Sequence, residues 1–436
     1  MPSSHRRAPH SARTPMLTVR PNRAPLTPRA SRRRTVAVAA ALTVVLVAGS
    51  AGGLDRVEAL AASGGPDDRA APIDTAVQDL MAAHDLGAVI VEVTDHGRPL
   101  LTKAYGESMT GVPASVDMHF RNGAVAAQYM STLLLRLVDQ GRVALDDPVA
   151  EWFPELPRAK DVTLRMLAGM TSGYPDFVSD ALIEALYADP FRTFTQDELL
   201  DFAFAQPHLF RPGTNWSYAH TNYVVLGMIL QQVTREPLDA ALSRGVLKPL
   251  GLRDTVDPGS PEIAPPVLHA FSSERREALR IPTEQTFIEE STFWNPSWTF
   301  AEGAIQTTTI SDMTRTAIGL GEGRLLSRQS YEEQIDPHLG FGHPQNGCAN
   351  CRTLNEAYGF GLGAVRNGEW ILQNPALAGY AGVEAYNPTT KISVAVVTTF
   401  REGSFDETGN VPNLAMNLFA AIGTIASPTS PPVVPS

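Results

Sequence analysis

One apolar stretch constrains the fold of this chain more than any other. After Gly123, residues 124–138 carry apolar side chains on nearly every side of a helix. A helix that is apolar all round belongs in a protein interior, so this segment is predicted to be a buried helix. Gly141 suits the end of that helix, and Pro148 suits the first turn that follows it. The rest of the fold is expected to pack around it.

The flanking sequence predicts a mixture of helices and strands. Residues 73–81 show helical spacing of apolar side chains, and residues 88–93 and 100–105 are predicted to form a hairpin. Hydroxyl side chains at residues 308–311 predict the start of another helix. Residues 235–290 have no clear period and are predicted to be an irregular linker. Further helices are predicted at residues 162–170, 181–187, 196–204, 224–233 and 414–421, and further strands at residues 358–363, 369–372 and 391–399.

Three short motifs lie around the buried helix. Phe120-Arg121-Asn122-Gly123 precedes it, Leu145-Asp146-Asp147-Pro148-Val149 follows it, and Met170-Thr171-Ser172-Gly173-Tyr174-Pro175 comes later. In this order they resemble the serine β-lactamase and penicillin-binding family, in particular its class C β-lactamase and D-alanyl-D-alanine-carboxypeptidase branch. The resemblance implies an α/β (α+β) fold of the β-lactamase/transpeptidase type over residues 71–425. In that fold an antiparallel sheet flanked by helices joins a mostly helical lobe.

The catalytic positions of that family are altered in this sequence. The family places a serine and a lysine three residues apart at the start of the central helix, and the matching positions here are Ala124 and Ala127. Side chains three apart project from one face of a helix, so the lysine can take the proton of the serine hydroxyl and make it a nucleophile. The methyl side chains of Ala124 and Ala127 can neither attack a substrate nor accept a proton. In one serine hydrolase, loss of the nucleophile or its base lowers turnover by about six orders of magnitude.

Two further clusters of the family site are only partly matched. Tyr218 matches a family tyrosine and His220 stands at the asparagine position; both are expected in an extended loop, in a catalytic or a purely structural role. The family's strand of lysine or histidine, hydroxyl residue and glycine matches Gln373-Asn374-Pro375. Glutamine offers only neutral hydrogen bonds, whereas the backbone N–H groups of Ala124 and Ala376 remain available to an anion. A polar, uncharged pocket is expected, with Asn374 and Ala376 as binding residues.

A relocated nucleophile is the alternative. Ser172 lies in a Thr-Ser-Gly turn near the expected cleft, and Ser131 lies two helical turns after Ala124. Ser131 is expected to face the core. Sequence spacing places no base beside Ser172, unless the loops bring His220 to it. Ser172 is therefore retained as a candidate binding or nucleophilic residue.

The first part of the chain has the composition of an export segment. Residues 1–34 contain nine arginines and no acidic residue, and residues 35–53 are uncharged and rich in alanine, valine and leucine. This order predicts an export signal within residues 1–61, with an uncleaved membrane anchor as the alternative. Residues 31–34 also partly resemble a twin-arginine signal. The protein is expected to be secreted or held in the cell envelope, with residues 62–70 as a linker.

Charge argues against several classes of partner. Subtracting the nine N-terminal charges from the net charge of −11 leaves −20 for the rest of the chain. A body this acidic argues against binding nucleic acid or an anionic membrane surface. Membrane contact is expected only through an uncleaved N-terminal segment.

The two cysteines and the histidines give no sign of a metal site. Cys348 and Cys351 are the only cysteines, and in an exported protein they are predicted to form a small structural disulfide. The histidines show no metal-ligand spacing, and neither a metal nor another cofactor is expected. Residues 426–436 are predicted to be a disordered tail because proline and serine dominate there.

Together these features predict an exported protein that lacks the acylating chemistry of the family it resembles. In the first interpretation it binds a peptidoglycan-like peptide or an envelope protein in the former catalytic cleft. The second is a divergent serine hydrolase, such as an esterase, a peptidase or a β-lactamase, with relocated catalytic residues. The third is a structural envelope protein whose cleft is filled by side chains.

Overall fold

The fold is described from a computed structural model, in which residues 68–340, 348 and 351–434 are placed. The predicted export segment, residues 1–61, and most of the predicted linker lie outside these residues. Within them, no helix is both long enough and apolar enough to cross a membrane. The described residues combine one large sheet with helices, as the sequence predicts.

The strands come in three runs along the chain, separated by helices. They are β1 (Leu86–Asp95), β2 (Arg98–Met109), β3 (Val112–Pro113), β4 (Phe120–Arg121), β5 (Phe271–Ser272), β6 (Glu289–Glu290), β7 (Thr307–Thr308), β8 (Gly359–Phe360), β9 (Val365–Asn367), β10 (Trp370–Gln373), β11 (Ala376–Leu377), β12 (Tyr380–Asn387) and β13 (Ile392–Phe400). Among the described residues, nine strands form one antiparallel sheet in the order β3-β2-β1-β13-β12-β10-β9-β8, and β11 pairs with β12. Two short strand pairs, β4 with β7 and β5 with β6, lie outside it.

The helices either cover the sheet or form a separate group. They are α1 (Ala70–His84), α2 (Val125–Asp139), α3 (Leu164–Ala168), α4 (Asp180–Ala188), α5 (Gln196–Phe204), α6 (His220–Thr234), α7 (Leu238–Leu242), α8 (Ile310–Gly321), α9 (Arg328–Ile335) and α10 (Ala415–Ala426). Helices α1, α8 and α10 pack on the sheet, whereas α3, α5 and α7 pack around α6, which contacts α2. The grouping matches a sheet lobe beside a mostly helical lobe.

The central helix is buried as predicted. Of the fifteen residues of α2, twelve are buried, including its polar residues Gln128, Ser131 and Thr132. The Ser131 hydroxyl lies 2.9 Å from the Tyr223 hydroxyl of α6, so Ser131 faces the core as expected. Gly141, just past the helix, has φ +66°, a left-handed conformation that glycine adopts without strain. Helix α2 therefore joins the helical group to the region where the site lies.

Strand β12 was missed in the sequence. All eight of its residues are buried because it lies inside the sheet and is covered on both faces. Such a strand lacks the alternation of polar and apolar residues that marks a half-exposed one. The prediction for residues 235–290 was also wrong in part, since α7, a helical turn at Ser243–Leu247 and the pair β5–β6 lie there.

The prediction of a disordered tail from residue 426 was wrong for the residues that are described. The Trp370 indole N–H donates to the Ser430 carbonyl at 3.0 Å, and Asn367 exchanges hydrogen bonds of 2.8 and 2.7 Å with the Val433 backbone. These contacts let the Pro/Ser segment cover the sheet near β9 and β10. Backbone hydrogen bonds to buried side chains hold a segment that its composition alone would leave loose.

Candidate functional site

A cavity opens where the start of α2, the start of α6 and the end of β10 meet. The space between its walls measures about 670 Å³, a volume that includes the open mouth. Aromatic side chains and amides make up most of its wall. Its lining residues are Gly123, Ala124, Tyr218, His220, Trp298, Thr299, Phe300, Gln373, Asn374, Ala376, Leu377, Val411 and Asn413. Six of the positions chosen from the sequence thus lie around one cavity: Ala124, Tyr218, His220, Gln373, Asn374 and Ala376.

The first wall is the N-terminal end of α2. Gly123 has φ +46°, and a Cβ built on it would lie 2.9 Å from Cβ of Pro375. Glycine is needed there both for the conformation and for the close approach. Ala124 follows as the residue before the helix and is partly exposed to the cavity. No acceptor for its backbone N–H is found within the described part of the chain.

The second wall is the short strand β11 that follows β10. The Gly382 N–H donates to the Pro375 carbonyl at 2.8 Å, so Pro375 and Gly382 form a hydrogen-bonded pair of the ladder. Such pairs alternate with non-hydrogen-bonded ones, and the next pair is Ala376 with Ala381. The Ala376 N–H therefore points away from β12, on the open side of the strand. The Asn413 side chain fixes this segment by donating to the Asn374 carbonyl at 2.9 Å.

The third wall holds a histidine paired with a carboxylate. His220 Nδ1 lies 3.1 and 3.3 Å from the two oxygens of Asp176, and the His220 backbone N–H donates to Asp176 at 3.1 Å. His220 is the first residue of α6, so the prediction of an extended loop there was wrong. The ring is 7% exposed and packs edge-on against Tyr218 at 5.1 Å and Phe300 at 5.6 Å between ring centres. Its orientation is therefore fixed from several sides.

Tyr218 contributes a neutral hydroxyl. Burial of the ring raises the pKa of Tyr218 well above its ordinary value, and the nearby Tyr358 and Asp176 add to the shift. Among the described residues, no lysine or arginine lines the cavity to oppose this effect. A phenol with a raised pKa keeps its proton at neutral pH, so Tyr218 can donate a hydrogen bond but is a poor base.

A buried carboxyl group lies behind the cavity. Glu384 on β12 is 1% exposed, stands opposite Gln373 in the ladder and is hydrogen-bonded by the Gln128 side chain of α2. Burial raises the pKa of Glu384 well above its ordinary value, which favours the neutral form of the carboxyl group. Gln373 itself uses its side-chain amide to donate to the Gly363 carbonyl at 2.6 Å. The wall behind the cavity is thus polar but uncharged.

The comparisons with known proteins decide the family. A family model described as Beta-lactamase matches residues 73–415. The chain belongs to the β-lactamase family. This confirms the resemblance to the β-lactamase and penicillin-binding proteins, together with the antiparallel sheet and helices of their fold.

Proteins with similar sequences include an esterase and a penicillin-binding protein. The chain is 32% identical to esterase EstB of Burkholderia gladioli over 199 residues, which is 42% of this chain and 50% of the esterase. It is 30% identical to penicillin-binding protein 4 of Amycolatopsis lactamdurans over 178 residues, which is 40% of this chain and 45% of that protein. The chain therefore spans about half the length of these relatives.

Several solved structures have the same fold as this chain. The D-amino acid amidase of Ochrobactrum anthropi SV3, complexed with D-phenylalanine, matches with a TM-score of 0.65 and 23% identity over 81% of this chain and 98% of the amidase. A D-stereospecific amidohydrolase from Streptomyces matches with a TM-score of 0.62 and 23% identity over 75% of this chain and 93% of that structure. At this identity the match concerns the fold alone.

Two positions chosen by resemblance to the β-lactamase family do not line the cavity. Ser172 is fully buried, its hydroxyl donates to Asn222 at 2.5 Å, and it accepts from the Tyr174 N–H at 3.0 Å. His220 is hydrogen-bonded to Asp176 instead, so the structure does not place His220 as a base beside Ser172. Ala127 is 1% exposed and its carbonyl faces Gly363, where an added Cβ would lie 2.6 Å away.

Several residues of this site were not chosen from the sequence, among them Asp176, Trp298, Phe300 and Asn413. Asp176 directly follows the Ser-Gly-Tyr-Pro motif, and that position is the signal that would have found it. Trp298 belongs to an aromatic segment at residues 294–300. Asn413 had no signal, because its role depends on a contact with Asn374, 39 residues earlier.

The cysteine pair lies apart from the lining residues. Cys348 and Cys351 form a disulfide, in agreement with the sequence-based expectation. In the part of the chain that is described, no group of three histidine, cysteine, aspartate or glutamate residues is placed to hold a metal ion.

Proposed function

We propose that this chain is an exported, non-acylating binding member of the β-lactamase family, acting in the cell envelope or outside the cell. The composition of the cavity wall carries the proposal. Ala124 stands at the N-terminal end of α2, and none of the thirteen described lining residues is serine, cysteine or lysine. Covalent catalysis needs a nucleophile beside a base that activates it. A methyl group at this position supplies neither an attacking oxygen nor a proton acceptor.

The two hydroxyl groups in the wall are poor substitutes for the serine. The Thr299 hydroxyl donates to the Pro296 carbonyl at 2.7 Å, and Thr299 is 5% exposed. Tyr218 keeps its proton because burial raises its pKa. Neither residue combines an accessible oxygen with a base that would take its proton. Acylation of the cavity wall is therefore not expected.

The remaining wall suits a neutral, peptide-like ligand. Asn374, Asn413 and the Ala376 N–H offer donors and acceptors for peptide groups, and Trp298 and Phe300 offer apolar faces. No lysine or arginine is present among the described lining residues to hold a terminal carboxylate. A peptidoglycan-like peptide or a segment of an envelope protein fits this chemistry. The open cavity favours such binding over a purely structural role, in which side chains would fill the cleft.

The proposal is tested by measuring binding and covalent change on the same sample. Calorimetry with an acetylated D-alanyl-D-alanine peptide is expected to show binding, and the C-terminal amide is expected to bind at least as tightly as the free acid. Mass spectrometry of the denatured protein is expected to show no added mass. A covalent adduct contradicts the non-acylating role, and failure of both peptides to bind contradicts the ligand class.

A matched pair of variants locates the binding. Ala376 is exposed at the cavity, and Ala376→Trp is expected to fill it and abolish peptide binding. Ala188 is an exposed alanine at the end of α4, outside the lining, so Ala188→Trp adds the same side chain elsewhere and should leave binding unchanged. Equal binding by both variants would place the peptide outside this cavity.

A further inference from the structure

Asp176 holds both the side chain and the backbone of His220. One carboxylate oxygen of Asp176 lies 3.1 Å from the imidazole Nδ1 of His220. The other oxygen accepts a hydrogen bond of 3.1 Å from the His220 backbone N–H. Three more aromatic rings, those of Phe177, Trp298 and Phe300, lie within 6.5 Å of the imidazole centre besides Tyr218. Asp176 thus accepts the free N–H at the start of α6 and, through Nδ1, also holds the imidazole in one orientation.

The pairing determines which nitrogen carries the proton. A carboxylate accepts hydrogen bonds and cannot donate one, so neutral His220 places its proton on Nδ1, facing Asp176. The lone pair is then on Nε2. No hydrogen-bond partner of Nε2 is found among residues 68–340, 348 and 351–434. Since the ring lines the cavity, Nε2 is the one strong proton acceptor that the histidine can offer there.

Two backbone donors line the same cavity. The Ala124 N–H lies at the start of α2 without a described acceptor, and the Ala376 N–H points to the open side of β11. Donors placed this way stabilise a carbonyl oxygen that becomes negative during attack. The cavity thus combines a base with two backbone donors, while none of its described lining residues is a serine, cysteine or lysine.

We infer that His220 activates a water molecule that attacks the carbonyl carbon of a small neutral ester directly, without an acyl-enzyme. The inference rests on the proposed function in one respect: the cavity must bind a neutral ligand and leave its wall unmodified. The aromatic wall and the lack of a described lining cation favour an uncharged ester with an aromatic alcohol part. Asp176 acts as a positioning residue.

The step balances with water as the only co-reactant. Nε2 of His220 takes one proton from water as the water oxygen bonds to the carbonyl carbon, and the carbonyl electron pair moves to its oxygen. When the intermediate collapses, the bond from carbon to the alcohol oxygen breaks and that oxygen takes the proton back from Nε2. One carboxylic acid and one alcohol leave, and His220 returns to its starting form.

Ester hydrolysis by matched histidine variants tests the inference. With p-nitrophenyl acetate as the probe, His220→Gln is expected to lower kcat/KM by about 100-fold or more, in the range of a lost general base. His96→Gln is the control, because His96 also pairs with a carboxylate, Asp95, but its side chain is 71% exposed and lies outside the cavity. It should leave the rate unchanged. Equal rates for wild type and His220→Gln would overturn the inference.

Two further measurements separate a chemical role from a structural one. Asp176→Asn is expected to lower kcat with little change in KM, because it disturbs the base and not the binding walls. His220→Ala leaves space for free imidazole, which should restore part of the lost rate. If imidazole restores nothing while the variant keeps the wild-type melting temperature, His220 is not the base.

The failure of this inference differs from the failure of the proposed function. Direct attack gives no burst of p-nitrophenol, and kcat changes with the leaving group. A burst with a covalent acetyl adduct would refute both claims. Peptide binding without adduct and without His220-dependent hydrolysis would refute the water-activating role alone.

Discussion

Pro375 lies directly in front of Gly123, so that a Cβ on Gly123 would come within 2.9 Å of the Pro375 Cβ. This contact brings the start of α2 and the strand after β10 to the two sides of one cavity. It also places Gln373-Asn374-Pro375 beside the start of α2, as the sequence match predicted. The contact leads to a stability prediction.

Gly123→Ala is expected to destabilise the protein. The added methyl group meets Pro375, and the φ of +46° is strained for alanine. Gly97→Ala is the control, because Gly97 has φ +75° but no atom within 4 Å of an added Cβ. Urea unfolding is expected to show that Gly123→Ala loses about 1–3 kcal/mol more than Gly97→Ala. Equal losses of stability in the two variants would mean that Pro375 can move away from the added methyl group.

Glu384→Gln is expected to change how stability depends on pH. Burial raises the pKa of Glu384 above its ordinary value of 4.5, so the folded protein keeps a proton that the unfolded chain releases. The free energy of unfolding of the wild type therefore falls as pH rises above about 4.5, by up to about 1.4 kcal/mol per pH unit from this group. Glutamine does not titrate, so the variant should gain stability relative to the wild type between pH 5 and 7.

Denaturant unfolding at several pH values checks this prediction. Glu407→Gln serves as the control because Glu407 is exposed, and its stability difference from wild type should stay flat over the same range. A flat difference for Glu384→Gln as well would show that Glu384 is ionised in the folded protein.

Truncation after Ser427 is expected to destabilise the fold. It removes the Ser430 carbonyl that accepts from the Trp370 indole and the Val433 backbone that pairs with Asn367. Trp370 is fully buried, so its side chain would become exposed. We expect a loss of about 2–4 kcal/mol in the free energy of unfolding. Truncation after Val434 is the control and should cost far less; equal stability of the two forms would support a loose tail.

Local sequence signals predicted most of the helices, although α7 and α9 were not predicted. Helix α5 runs from Gln196 to Phe204 as predicted, and Thr195 with Glu198 forms a capping box that marks its start. Helix α8 starts as predicted, because Thr309 accepts a hydrogen bond from the Asp312 N–H. The residues that start each of these two helices lie within one helical turn of each other, so the signal is local in the sequence.

Features that depend on distant residues were harder to predict. Strand β12 lacks a local pattern because both of its faces are covered, and the tail is ordered by side chains more than 40 residues away. The His220–Asp176 pair joins residues 44 apart. The cavity wall was predicted in outline because motifs mark its three sides, whereas Asn413 could be assigned only from its contact with Asn374 in the structure.

The absence of acylation at the cavity is the central claim, and mass spectrometry after penicillin treatment tests it most directly. Purified protein is incubated with a fluorescent penicillin and denatured, beside the double variant Ala124→Ser with Ala127→Lys. The wild type is predicted to keep its unmodified mass, while the variant, which regains a hydroxyl and an amine one helical turn apart, gains the mass of the drug. A drug adduct on any cavity residue of the wild type would contradict the account.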